Sequence, residues 1–490
     1  MKHPTKRKKE KKKTATKRTL LVVVVLLLGL FTISAALFYS DPSILSSRYS
    51  IESTQAEEEG VDVEFEGTAS TTEESELVAE VEEAQEIDFG PVPAYIPVPE
   101  AVKAIYMSQC VVGTPSFRMD LVNLIDETEL NSVIIDIKDY TGKIAFTSDH
   151  PDLAGSVSNE CGALWDMREF VELLHSKGIY VMGRITVFQD PYYSSIHPEL
   201  AVKFASPVGE VWKDHKGLSF IDVGAKPFWD YIITLSREAH KLGFDELNYD
   251  YVRYPSDGPM SNIHFDWAGD GTPKQVALEE FFAYLHKEMK DVSKYPKGVN
   301  PPLISADLFG MVTTNYDDLN IGQVLERALP YFDYIAPMVY PSHYPSGFNG
   351  WSNPNTVPYE LIKFVMDSAV RRTIATQSPI DILGSEPVME TVIVPPVSST
   401  TATTTKEVAT GKYTKVAYDK DKIRPWLQDF DYGGDYDVAE VKAQIQATYD
   451  AGLDSWMLWA PSNRYTRGAL KDAEAGSEVG VTEEMSGEQT

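Results

Sequence analysis

Apolar residues recur along this chain as short runs separated by longer stretches of helical period. Beyond Glu100, eight runs read as strands: Lys103 to Ser108, Ser132 to Asp139, Ile179 to Phe188, Phe244 to Tyr254, Pro302 to Gly310, Tyr334 to Tyr340, Ile423 to Phe430 and Asp454 to Ala460. Each is a short apolar or alternating run bounded by turn-forming residues, the pattern of a buried strand. Helical patterns fall between them, near Arg118 to Thr128, Leu164 to Lys177, from Pro227 onward, Pro273 to Lys290, Ile321 to Leu329, Tyr359 to Ala375 and Val438 to Ala451. Gly178 supplies a helix stop and Pro227 a favoured first helical position. Eight β-α repeats predict an α/β fold, a (β/α)8 TIM barrel with loop insertions, over residues 100–473. An open doubly wound sheet suits the chain less well, because no Gly-rich phosphate loop follows the first strand. Residues 385–412 interrupt the repeat. They are rich in Ser, Thr, Val and Pro, with the low-complexity run SSTTATTT, and predict a surface hairpin with a mobile tip.

The pattern before the barrel is different. Leu20 to Phe38 is an uncharged apolar run of 19 residues, long enough to cross a bilayer. The tip before it, residues 1–19, is dense in Lys and Arg, which stays cytoplasmic by the positive-inside rule. The run is either a transmembrane anchor or a cleaved secretory signal, since Ser34, Ala35 and Ala36 supply small residues. Its length favours the anchor. The barrel is therefore expected outside the cytoplasm, at the cell membrane or secreted. Residues 39–99 follow, acidic and poor in periodic apolar positions, and predict a disordered spacer ending in a stiff Pro-rich stretch, Gly90 to Pro99. Residues 474–490 read as a disordered acidic tail.

Charge narrows the classes of partner. The formal net charge is −29 over 490 residues, a basic tip on a strongly acidic body, so nucleic acid is not an expected partner. Two cysteines, Cys110 and Cys161, fall in loops after the first and second strands. They either form a disulfide, which an extracytoplasmic compartment permits, or remain as two thiols. No dense His/Asp cluster is present, and no Gly-x-Ser-x-Gly elbow. Neither a metal nor another cofactor is expected.

In a (β/α)8 barrel the chemistry sits at the carboxyl ends of the strands. The most informative end is GFDELNYDYVRYPSDG, Gly243 to Gly258. Its alternation puts Glu246, Asn248, Asp250 and Val252 on one face and Leu247, Tyr249, Tyr251 and Arg253 on the other. Reading every strand end gives Asp136, Lys138 and Asp139; Arg184; Asp250 and Arg253; Asp307; Tyr340, then His343 and Tyr344; Gln428 and Asp429; and Trp459, then Asn463 and Arg464. Tyr192, Tyr193, Trp212, Trp351 and Trp426 accompany them. Carboxylates among aromatic faces suit glycoside hydrolysis, which needs two carboxyl groups across the scissile bond. Asp250 and Asp307, on adjacent strands, are the expected catalytic pair. Asp136, Lys138, Arg184, Arg253, Tyr340, Gln428, Asp429 and Trp459 are the expected sugar-binding residues. Arg184 or Arg253 would keep one carboxylate ionised while an apolar setting raises the pKa of the other. Asp136 also has a structural reading, as a buried acid paired with Lys138 or Arg184.

KAIYMS, NSVIIDIKDYTGKI, GFDELNYDYVRYPSDG, YIAPMVYPSHY and DSWMLWAPSNRY together resemble a bacterial family described as a putative glycosyl hydrolase domain, over about residues 101 to 470. The resemblance implies a (β/α)8 barrel acting on a polysaccharide. The chain is more distantly similar to chitinase-type barrels, whose fourth strand ends in Asp-x-Asp-x-Glu. Asp250 matches the second Asp of that pattern, Asn248 replaces the first, and Val252 stands where the catalytic Glu would be. A hydrolase acid must then come from elsewhere, and Asp307 is the choice. A non-catalytic carbohydrate-binding barrel of the cell envelope is the alternative, motivated by Val252.

Overall fold

The structure, a computed structural model, describes residues 92–161, 166–269, 271–394 and 404–473. They lie within one unit, Glu83–Thr490. The expectations for residues 1–19, 20–38, most of 39–99, the hairpin tip and 474–490 lie outside the described residues. Among the described residues no helix is long and apolar enough to cross a membrane.

Eight parallel strands close a barrel: β1 (Lys103–Met107), β2 (Ser132–Lys138), β3 (Tyr180–Thr186), β4 (Glu246–Asp250), β5 (Leu303–Phe309), β6 (Tyr334–Met338), β7 (Trp426–Gln428) and β8 (Trp456–Trp459). Each pairs with its sequence neighbours, and β8 returns to β1. The connecting helices are α1 (Pro115–Asp126), α2 (Met167–Ser176), α3 (Lys226–Lys241), α4 (Lys274–Lys290), α5 (Leu325–Ala328), α6 (Pro358–Ile374) and α7 (Val438–Asp450). Pro115, Pro227 and Pro358 lie in first turns, where a missing N–H is tolerated. Asp437 and Glu440 form a capping box on α7. All eight expected strands are present, most of them shorter at the ends.

Strand alternation makes two cores. Odd-numbered positions such as Ile135, Val181, Leu247 and Ile335 pack outward against the helices. Even-numbered positions such as Ala104, Ile134, Met182, Ala336 and Trp426 fill the barrel. The lower barrel also holds a buried ion pair, Arg424 with Glu246 at 2.8 Å, to which Tyr180 donates from 3.0 Å.

Three details settle or correct the sequence reading. Cys110 and Cys161 form a disulfide that ties the loops after β1 and β2. The inserted segment is an antiparallel hairpin, Pro387–Val394 with Thr404–Thr414. Residues 92–99, expected as the end of a spacer, pack instead on the barrel. Ile96 and Val98 pack against the barrel's inner core. The Ile96 N–H donates to Asp245 at 2.9 Å, and Tyr95 donates to the His240 carbonyl at 2.9 Å. A proline-rich stretch has few N–H groups to satisfy, so its aliphatic side chains can cover the amino-terminal mouth of the barrel at little polar cost.

Candidate active site

The site begins with the register of the strands. Arg184 on β3 lies beside Asp136 on β2 and Asn248 on β4, and Asn248 lies beside Ser305 on β5. One strand step further, Asp250 and Asp307 end up at one level on neighbouring strands. The Arg184 guanidinium sits between the carboxylates. It donates to Asp136 at 2.6 Å and to Asp250, and its Nε lies 3.7 Å from Asp307 Oδ2. Burial opposes the Arg184 charge, yet Asp250 and Asp136 hold its pKa well above the ordinary value.

Asp307 is held differently from its neighbour. Its Oδ1 accepts hydrogen bonds from Asn248 at 2.9 Å and from the Trp426 indole at 2.7 Å. That leaves Oδ2 to carry a proton. Burial, reinforced by the Asp250 charge, pushes the carboxyl up to about 8, although Arg184 pulls the other way. Near neutral pH the pair therefore consists of a carboxyl at Asp307 and the arginine-paired Asp250. Asp136 lies behind Arg184. It accepts from the Tyr106 hydroxyl, and burial pushes it up to about 6.

These groups open on a cavity of about 330 Å³, lined by Arg184, Asp250, Arg253 and Asp307 together with aromatic and Met side chains. Trp459 packs on Tyr106 with centroids 4.1 Å apart, and Arg184 lies 5.4 Å from its ring centroid. Tyr340 is buried, and its pKa is raised well above the ordinary value by burial and the two aspartates, so it stays a hydroxyl donor. His343 lies at the mouth, and burial lowers its pKa.

The structure brings Asp250, Asp307, Arg184, Arg253, Tyr340 and Trp459 together. It does not bring four other expected residues to the cavity wall. Lys138 is fully buried beside β3, paired with Asp190 at 2.8 Å and donating to the Thr186 carbonyl. Asp136 is spent on Arg184 and Tyr106. Gln428 accepts from the Ser342 N–H and donates to the Phe430 carbonyl, linking the loops after β6 and β7. Asp429 accepts from the Thr466 N–H and hydroxyl. In each case the polar atoms are consumed by the protein. Among the aromatics, Trp212 is fully buried in a satellite core and Tyr193 in the outer core.

Strand alternation also fails at one point. Tyr251 has φ 51°, a left-handed conformation that is uncommon for a bulky residue. The face switches there. Tyr251 and Arg253 line the cavity, while Val252 is fully buried in the outer core. Val252 is therefore not a replaced catalytic side chain facing the cavity, as the alternation implied. Phe309, Gly310, Met311 and Met338 also line the cavity and went unforeseen. A Cβ at Gly310 would overlap the Tyr344 hydroxyl and the Met338 carbonyl, so only glycine fits that wall. Among the described residues, no group of three or more His, Cys, Asp or Glu side chains is placed to hold a metal ion.

The structure is a closed parallel (β/α)8 barrel with a pair of aspartates at its carboxyl end, where the chemistry of this fold sits. The family model described as "putative glycosyl hydrolase domain" matches residues 104–381 and 390–465, and the chain belongs to that family. The break between the two matched segments falls just before and at the start of the inserted hairpin. A hypothetical protein from Ruminiclostridium thermocellum is 30% identical, covering 41% of this chain and 96% of that one, with a TM-score of 0.36. The PgaB (BpsB) glycoside hydrolase domain from Bordetella bronchiseptica is 12% identical over 76% of this chain and 99% of that one, TM-score 0.49. The glycoside hydrolase domain of PelA from Pseudomonas aeruginosa is 11% identical over 75% and 97%, TM-score 0.37. No curated protein matches this chain.

Proposed function

We propose that this barrel hydrolyses a glycosidic bond of a polysaccharide, with Asp307 as general acid and Asp250 as nucleophile or general base. The observation that carries the reading is the asymmetry of the pair. Asp250 is bonded to Arg184, while Asp307 is buried, bonded at Oδ1 only by neutral donors and pushed up to about 8. An arginine-bound carboxyl group beside one that keeps its proton near neutral pH suits acid–base cleavage of an acetal. Asp307 would protonate the leaving oxygen from Oδ2, and Asp250 would attack the anomeric carbon or activate water. Tyr340 and Trp459 supply a hydroxyl and an aromatic face for the sugar. The alternative of a non-catalytic binding barrel rested on Val252, whose side chain does not face the cavity.

The pH–rate profile of the wild-type chain tests the assignment. A general acid works only while protonated, so kcat should fall tenfold per pH unit above about 8. A rate that stays flat from pH 7 to pH 10 would remove Asp307 as the acid.

We further propose that residues 20–38 anchor the chain in the cell membrane with the barrel outside, acting on a cell-wall or extracellular polysaccharide. The uncharged run and its basic flank support this, as does the Cys110–Cys161 disulfide, since such bonds persist in oxidising compartments. Protease added to intact cells should then degrade the barrel; full protection would place it inside.

A further inference from the structure

Arg253 is the one cavity-lining cation without a carboxylate partner among the described residues. Arg184 is shared among three aspartates, but nothing of the kind meets Arg253. The side chain is only 7% exposed and lies in the cavity wall. Its Nη1 donates to the Tyr254 carbonyl at 3.0 Å and to the Ser256 hydroxyl at 3.2 Å. The guanidinium carbon lies 4.7 Å from the Tyr251 ring centroid and 4.8 Å from that of Phe309. Two rings and two hydrogen bonds thus fix the group in place. Asp250 and Asp257 act on it only from a distance, and burial lowers its pKa.

A buried guanidinium without a counter-charge is costly. It is held here in the same wall as the catalytic pair, by the left-handed turn at Tyr251. The planar fork of an arginine matches the two oxygens of a carboxylate. One guanidinium balances one carboxylate. A phosphate dianion would need a second cation, and Arg184 is already committed to its three aspartates.

We infer that Arg253 is a subsite for the carboxylate of an acidic sugar residue, so that the substrate is an anionic polysaccharide of the uronate type. This inference rests on the glycosidase reading of the same cavity and deepens it. The long strand-end motif then has a division of labour. Asp250 does chemistry, Tyr251 turns the chain, and Arg253 selects the sugar.

The test separates recognition from turnover. The full chain is titrated with glucuronate, galacturonate and mannuronate and with glucose, galactose and mannose, following the fluorescence of Trp426 and Trp459 in the cavity wall. At least one uronate should bind about 10- to 100-fold more tightly than its neutral parent, the range for a charge-assisted pair. R253Q should bring that ratio to about one, and R253K, which keeps the charge but not the fork, should leave it in between. If R253Q does not fold, R253K alone decides, with an expected loss of about tenfold in the uronate preference. Equal binding of uronates and neutral sugars by the wild type, or a preference that survives in the variants, overturns the proposal. Release of reducing ends from polygalacturonate, alginate and hyaluronan, each beside its carboxyl-reduced form, distinguishes the two readings. Uronate binding without cleavage of any polymer keeps the subsite and removes the hydrolase. Cleavage of the reduced polymers without uronate preference keeps the hydrolase and removes the subsite.

Discussion

Asp307→Asn should lower kcat on a cleaved polysaccharide by about 10²- to 10⁴-fold, the usual contribution of a general acid. The size of the loss should depend on the leaving group. A natural glycosidic oxygen leaves badly unless protonated, whereas an aryl leaving group departs with less help. Aryl glycosides should therefore retain much more of their rate in the variant. The alkaline fall in rate near pH 8 should vanish with the carboxyl group that causes it. Stability supplies an independent sign. Folded Asp307 keeps its proton up to about 8, while an unfolded aspartate loses it near about 3.9. Between those values the folded state binds the extra proton, so wild-type stability falls as pH rises. Asn carries no such proton. Denaturant unfolding should show D307N gaining on wild type between pH 5 and pH 9. An unchanged difference across that range would mean that Asp307 is ionised in the fold.

Arg184→Met should be the most destabilising single change in the barrel, by about 3–5 kcal/mol at neutral pH, the cost of breaking a buried ion pair from one side. The methionine fills similar space, so the loss is electrostatic. Asp250, Asp136 and Asp307 would then share a buried site with no cation between them. Their pKa values rise together, and the folded variant takes up protons that the unfolded chain has released. The destabilisation should shrink as pH falls toward 4 and grow as it rises. Urea unfolding of the variant beside wild type at pH 4.5 and pH 8 reads this directly. Catalysis should fail as well, because Asp250 would lose the guanidinium that holds it beside Asp307.

Much of this was legible in the sequence, for a physical reason. A parallel strand buried on both faces is a short apolar run, and Gly and Pro mark its ends. The eight strands, the order of the helices and the pairing of Asp250 with Asp307 follow from that pattern and from the rule that chemistry sits at strand ends. The choice among strand-end polar groups did not follow. Lys138 looked as available as Arg184, but Asp190, 52 residues away, holds it inside the wall. Asp429 is taken by Thr466 and Gln428 by the loop after β6. Such pairings join distant parts of the chain and leave no local trace. Tyr251 is the other kind of failure. Alternation assumes an unbroken strand, and one left-handed residue reversed the faces of everything after it. Residues 92–99 went unread because a Pro-rich composition looks like a spacer whether or not its Ile and Val find a core.

If Asp250 and Asp307 together cleave glycosidic bonds, reducing ends must be released from a cell-wall or extracellular polysaccharide. Wild type is incubated with a panel of such polymers beside D250N, whose amide keeps the size of the side chain and removes its charge. Wild type should release reducing ends from at least one polymer, and D250N should do so at least 10³-fold more slowly, a loss of about 4 kcal/mol in transition-state stabilisation. Equal release by both proteins would contradict the assignment of Asp250, and no release by wild type from any polymer would contradict the hydrolase itself.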